Sequence, residues 1–144
     1  MSYWDTSALV KLFVAEADSA QFQQLAVSAT RIVTAAVARL EARTVFRRRE
    51  GEEILPKGEA VVLCSDLDQD IANGRVVIQS ADSDVERAFV TVLENCFSQS
   101  PMIFVRTNDA LHIASAIVAG ETEFITADAR QSSAARPMGL KVQP

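Results

Sequence analysis

Four carboxylates are the residues of this chain best suited to do chemistry: Asp5, Glu41, Asp109 and Asp128. Asp5 ends a short β-prone run and is followed by two hydroxyls, Thr6 and Ser7, ahead of a helical pattern beginning at Ala8. An acid at the carboxyl end of a first strand sits where open α/β sheets build their sites. Each acid also has a plain explanation on its own. Asp5 would cap a helix, worth about 0.5–2 kcal/mol. Asp109 would favour a helix dipole from its first turn, worth about 0.3–1 kcal/mol. Asp128 would be an ordinary turn residue, and Glu41 a half-exposed group beside an apolar stripe. Placed on one edge of a parallel sheet, the four converge. Unpaired, they would repel one another and raise their pKa values. Oxygen donors with one or two carboxylates per ion suit Mg²⁺ or Mn²⁺, and such ions support phosphodiester cleavage by activating water and stabilising developing charge.

The elements that must position these acids alternate along the chain. Residues 2–4 read as a strand, and Asp5, Thr6 or Ser7 can cap the apolar helix carrying Leu9, Val10, Leu12, Phe13 and Val14. Asp18 or Ser19 caps a second run with Phe22, Leu25 and Ala26 on one side, and residues 31–34 form a β-branched strand. Residues 35–49 are strongly helical, with Val37, Leu40, Thr44 and Val45 as the apolar stripe, Glu41 inside it, and Arg39, Arg43 and Arg47 on another face. A helix over about 56–73 packs through Val61, Val62, Leu63, Leu67 and Ile71 until Asn73-Gly74 stops it. After a strand at 75–79, Ser83-Asp84-Val85-Glu86 resembles a capping box for a helix that runs to about Phe97. Residues 102–107 are a connection. Thr107, Asn108 or Asp109 then caps a helix whose inward face is Ala110, Ile113, Ala114, Ile117 and Val118. Strands at 123–126 and 140–142 flank a small-residue helical turn ending at Pro137. This alternation implies parallel pairing with right-handed crossovers. The expectation is one domain, residues 1–144, folded as a three-layer α/β/α sandwich on a mostly parallel sheet of four to five strands.

Composition narrows the function. Apolar residues make up 49% of the 144, enough for a sizeable core. No apolar run approaches the ~20 residues of a membrane span, and the first residues lack a signal-peptide pattern, so a soluble cytoplasmic protein is expected. Cys64 and Cys96 are far apart and, with one histidine, exclude a zinc ribbon or finger; two reduced, packed thiols are expected. The net charge of −5 is the wrong sign for a nucleic-acid binder as a whole, but natural for a carboxylate metal site.

Other patterns carry less. Asp66-Leu67-Asp68-Gln69-Asp70 starts like a calcium loop but has Ile71 and Val77 where Gly and Glu belong, so a solvated acidic helix face is expected. His112 reads as a packed or half-exposed histidine rather than a general base. No Gly-rich phosphate loop, nucleophile elbow or Asp-x-Asp phosphatase motif is present. Arg47-Arg48-Arg49 reads as a solvated helix end that, with Arg43, could steer RNA toward the acids or contact a partner.

Taken as strings, Asp5-Thr6-Ser7-Ala8-Leu9-Val10-Lys11, Ala38-Arg39-Leu40-Glu41, Asp109-Ala110-Leu111-His112-Ile113-Ala114-Ser115-Ala116 (preceded by Arg106) and Thr126-Ala127-Asp128 follow one another in an order and spacing that resembles PIN-domain proteins, especially VapC-type toxins. Gly139-Leu140-Lys141-Val142 resembles that family's terminal strand. The resemblance implies that Asp5, Glu41, Asp109 and Asp128 bind metal, with Thr6 and Thr126 as supporting hydroxyls. It further implies an Mg²⁺- or Mn²⁺-dependent endoribonuclease acting on RNA, a cognate antitoxin as partner, and a homodimer. A PIN-like module that binds RNA or protein without cutting is the alternative. One departure from the pattern is the absence of a large apolar residue over 129–133.

Overall fold

Two neighbouring aromatic residues of the first strand face opposite ways, and the two layers of the protein are built on them. The computed structural model describes residues 1–144. In β1 (Ser2–Trp4), successive side chains alternate across the sheet. Trp4 enters an apolar cluster with Leu9, Phe22, Phe46 and Leu67. Tyr3 enters a second cluster with Val85, Ile113, Phe124 and Leu140. Both rings are fully buried.

The sheet has five strands in the order β3-β2-β1-β4-β5, with β2 at Ile32–Ala35, β3 at Val76–Gln79, β4 at Glu123–Ile125 and β5 at Lys141–Gln143. Every pairing is parallel. The expected α/β sandwich is therefore present with a fully parallel sheet, and its strands start up to one residue later than the sequence pattern placed them. The crossovers to β2 and β3 put α1 (Thr6–Leu9), α2 (Ser19–Ser28), α3 (Ala36–Gly51) and α4 (Glu59–Ala72) on the Trp4 face. Reversing direction from β3 to β4 and on to β5 puts α5 (Ser83–Phe97), α6 (Thr107–Val118) and α7 (Ala129–Ala135) on the Tyr3 face. No helix is long and apolar enough to cross a membrane. Both cysteines are free, Cys96 buried and Cys64 half-buried.

The helix faces differ from expectation where small residues decide the packing. In α3 the buried positions are Ala38, Ala42 and Phe46, while Leu40 is 64% exposed and Thr44 is exposed as well. Alanines let the helix backbone approach the sheet and α4, a contact that a stripe read from large apolar residues overlooks. Likewise α4 packs through Ala60, Leu63 and Leu67, leaving Val61 and Val62 exposed. Its Asp68 is not merely solvated: Arg39 and Arg43 both pair with it and tie α3 to α4. The cap of α5 is Asp82, one residue before the expected box, its Oδ1 accepting from the Asp84 and Val85 amides. Asp18 precedes α2 without a side-chain cap bond, and Arg106 precedes α6 likewise. Packed between the sheet and α5, α6 buries His112, Ser115 and Ala116 along with Ala110, Ile113 and Ala114, whereas Ile117 is exposed.

Unfolding in urea checks the α3 register. Phe46→Ala is expected to cost about 3–5 kcal/mol, the range for emptying a buried aromatic site, and Leu40→Ala to stay within about 0.5 kcal/mol. The reverse ranking would restore the face read from the sequence.

Candidate functional site

The strand order makes the boundary between β1 and β4 the point where crossovers diverge to the two faces of the sheet. In open parallel sheets a crevice opens there, outside the strands' carboxyl ends. Asp5 follows β1 directly and its amide donates to the carbonyl of Ile125 at the end of β4 (3.1 Å). Its side chain is buried and fully engaged. Oδ1 accepts from Ser7 Oγ (2.7 Å) and from the Ala8 amide (2.9 Å), which makes Asp5 the cap of α1. Oδ2 accepts from Thr126 Oγ1 (2.5 Å). Burial pushes this carboxyl above the usual aspartate range, with the His112 charge and the hydrogen bonds from Thr126, Ser7 and Ala8 opposing it.

Glu41 comes over the same edge from the Trp4 face. Its Oε2 accepts from the Thr6 hydroxyl and lies 3.0 Å from His112 Nε2; its Oε1 accepts from Asn108 Nδ2 (2.7 Å). Burial would raise its pKa, but the hydrogen bonds from His112 and Thr6, the His112 charge and the Asn108 amide outweigh burial and hold the carboxyl at about 2. His112 is 3% exposed, and its other ring nitrogen, Nδ1, lies 2.8 Å from the Tyr3 hydroxyl. It is packed, as expected, yet it also sits directly beneath the cleft, a role that composition gave no hint of. The available signal was its spacing: three residues after Asp109 on one helix, it shares that residue's face.

Asp109, in the first turn of α6, is gripped by Arg106, whose Nε and Nη2 donate to Oδ2 (2.8 Å) and Oδ1 (3.1 Å). The same guanidinium reaches Asp128 Oδ2 at 3.5 Å, and Arg130 reaches that oxygen at 3.5 Å. Asp128 caps α7 by accepting from the Arg130 amide (2.8 Å), and its own amide donates to Thr126 Oγ1 (3.0 Å). Burial raises the Asp128 carboxyl, but the Arg130 amide and charge bring it below the usual range. The loop that lacks a large apolar residue is anchored by a polar one: Gln131 is 2% exposed and its Nε2 donates to the Asp109 carbonyl (3.2 Å).

All four acids line one cleft of about 620 Å³, together with Thr6, Ser7, Asn108, His112, Arg48, Arg106 and Arg130. Thr126 lies buried behind it, against Asp5. Of the arginines singled out in the sequence, Arg43 is taken by Asp68, Arg47 by Glu50 and Arg49 by Glu16 and Glu52, while Arg48 faces the cleft. The donors are hard carboxylate oxygens, the kind that suits Mg²⁺ or Mn²⁺. A cationic group, the Arg106 guanidinium, already bridges Asp109 and Asp128. As the side chains stand, no three acidic, histidine or cysteine groups surround one point that could hold a metal ion.

The architecture has solved counterparts. The toxin VapC20 of Mycobacterium tuberculosis, described as cleaving the sarcin–ricin loop, matches with a TM-score of 0.68 at 19% identity, over 93% of this chain and 95% of that one. FitAcB from Neisseria gonorrhoeae matches with a TM-score of 0.72 at 17% identity, over 100% and 97% of the two chains. VapBC2 from Rickettsia felis, solved with a DNA fragment from its promoter, matches with a TM-score of 0.67 at 15% identity, over the whole of both chains. At these identities the likeness is one of fold. No curated protein matches the chain in sequence. The family model for the PIN domain, however, matches residues 2–137, nearly the full length. The parallel sheet, the acid-lined crevice at its switch point and that match agree: the chain belongs to the PIN domain family.

Proposed function

We propose that this protein is a metal-dependent endoribonuclease, the toxin of a VapC-type toxin–antitoxin pair, acting as a single cytoplasmic domain. Asp5, Glu41, Asp109 and Asp128 are the catalytic acids and metal ligands. The observation that carries this reading is their arrival, from four separate elements, in one cleft at the carboxyl edge of the sheet. The toxin VapC20, with the same fold, is described as cleaving the sarcin–ricin loop, which supports RNA as the substrate class. By the same likeness, a cognate antitoxin protein is the partner and a homodimer the assembly.

Mg²⁺ or Mn²⁺, when bound, supplies charge neutralisation at the scissile phosphate and acidifies water. The chain's own residues do the rest. Asp5 and Glu41 are held by hydrogen bonds, Asp109 and Asp128 by the shared Arg106 guanidinium. Thr126 and Ser7 orient Asp5, and Thr6 orients Glu41, so these two carboxylates are held before substrate arrives. Arg106 must turn away from Asp109 before that carboxylate can serve a cation, and it then remains within the cleft as a donor to phosphate.

A second reading, a PIN-like module that binds RNA or protein without cutting, is favoured by one observation: Arg106 and Arg130 already neutralise Asp109 and Asp128.

Cleavage of RNA by purified protein separates the two readings. Wild type with Mg²⁺ or Mn²⁺ is expected to cut, and Asp5→Asn or Asp109→Asn to lower the rate by roughly 100-fold or more, the effect of losing about 2.7 kcal/mol at the transition state. Undiminished cleavage in both variants would sink the site assignment.

Thermal denaturation tests the metal directly. Saturating Mn²⁺ is expected to raise the melting temperature of wild type by roughly 5 °C or more and that of Asp5→Asn much less. The ligands must be deprotonated, and the Asp5 pKa is shifted upward. Protons therefore compete as pH falls through that raised value, and the shift should shrink in mild acid and grow toward neutral pH. A shift that is independent of pH would remove Asp5 from the ligand set.

A further inference from the structure

We propose that His112 is a positioning residue for Glu41, fixing which carboxylate oxygen the cleft receives. The inference rests on the nuclease reading in one respect, that Glu41 is a metal ligand. The imidazole lies on α6 but touches three other elements: Tyr3 on β1 at Nδ1 (2.8 Å), and Glu41 on α3 (3.0 Å) and Thr6 on α1 (3.1 Å) at Nε2. An ionised carboxylate only accepts hydrogen bonds, so the nitrogen facing Glu41 must carry the proton. The other nitrogen is satisfied by the Tyr3 hydroxyl. A flip of the ring would have to break both contacts, and a buried polar atom left without a partner is expensive.

The anchor extends to the middle of the sheet. The Tyr3 ring stacks on Phe124 (centroids 5.2 Å apart, planes 14° apart) and meets His112 edge-on at 6.0 Å. The direction of the imidazole is thus set by β1 and β4, the two strands whose ends carry Asp5 and Asp128. Glu41 is a long side chain on a helix of the opposite layer, and nothing in α3 itself would stop it from sampling several rotamers. The two oxygens of its carboxylate meet different surroundings. Oε2 is held by two buried donors, His112 and Thr6; Oε1 meets Asn108, an exposed side chain that an incoming cation can displace. The structure therefore presents Glu41 with one oxygen anchored and one offered to the cleft. A side chain needed only to fill this space would be apolar, with no ring nitrogens to satisfy.

Isothermal calorimetry of Mn²⁺ binding to the full chain tests this with wild type, Glu41→Gln, His112→Leu and His112→Gln. His112→Leu is expected to weaken Mn²⁺ binding by roughly 10–100-fold, the usual cost of removing a hydrogen-bond partner from a metal ligand. His112→Gln, whose amide can still donate to Oε2, is expected to recover most of that affinity. Adding Glu41→Gln to His112→Leu should cost less than Glu41→Gln does alone, because the two act on one ligand. Should the leucine variant not fold, His112→Asn takes its place, since its shorter amide reaches toward Tyr3 but not Glu41. Unchanged affinity in the leucine or asparagine variant, or equal losses with glutamine, would overturn the positioning role. Full additivity with Glu41→Gln would do the same. If wild type binds no Mn²⁺, the nuclease reading fails and this inference with it; if wild type binds and only the His112 variants are silent, the inference alone fails.

Discussion

Removing carboxylates from water is the constraint on which this structure turns. An ionised acid buried without partners is prohibitively costly, so each must find hydrogen bonds or a counter-charge. The protein meets the constraint differently for the two halves of its acid cluster. Asp5 and Glu41 are satisfied without arginine: by hydroxyls of Thr6, Ser7 and Thr126, the Ala8 amide, the Asn108 amide and the His112 ring. Asp109 and Asp128 are satisfied by arginines. The first pair is fixed in place by groups that belong to the fold. The second is held by long, exposed side chains that can move. One half of the acid cluster is thus preformed, and the other is held by groups that can rearrange.

The fold makes the arrangement possible by giving each layer its own core and letting both meet at one edge. Trp4 and Tyr3 send β1 into both cores at once. The next residue, Asp5, therefore emerges from a strand anchored in both cores. Its neighbour β4 delivers Thr126 and Asp128 beside it. Small residues do comparable work in the helices. Ala38 and Ala42 bring α3 close to the sheet, and that closeness sets how far Glu41 must reach. Gln131, buried under the Asp109 carbonyl, replaces an apolar anchor with a hydrogen bond and keeps α7 against α6.

The acidic balance of the chain also takes on a definite shape. A charge of −5 is unfavourable for phosphate binding over long range. Most of the arginines that might offset it are already paired: Arg39 and Arg43 with Asp68, Arg49 with Glu16, Arg106 with Asp109. The few arginines lining the cleft therefore stand among acids rather than forming a basic face.

The sequence by itself determined the alternation of elements, the parallel sheet and the order of the acidic motifs. Hydrophobic periodicity and turn residues such as Asn73-Gly74 are local signals, and local signals survive without a structure. The Asp5 cap was equally legible, because a carboxylate three residues ahead of an apolar helical run is read along the chain. What only the tertiary structure decided lies across the chain. Leu40 read as core and is exposed, because alanines, weak in any hydrophobic pattern, govern the close approach of α3. His112 read as filler and joins Tyr3, Thr6 and Glu41, residues separated from it by 71 to 109 positions. Arg106 stood beside Asp109 in the sequence, but its reach to Asp128 depends on how α7 packs against α6. Burial and long-range hydrogen bonding are properties of the assembled layers, so no window of sequence can contain them.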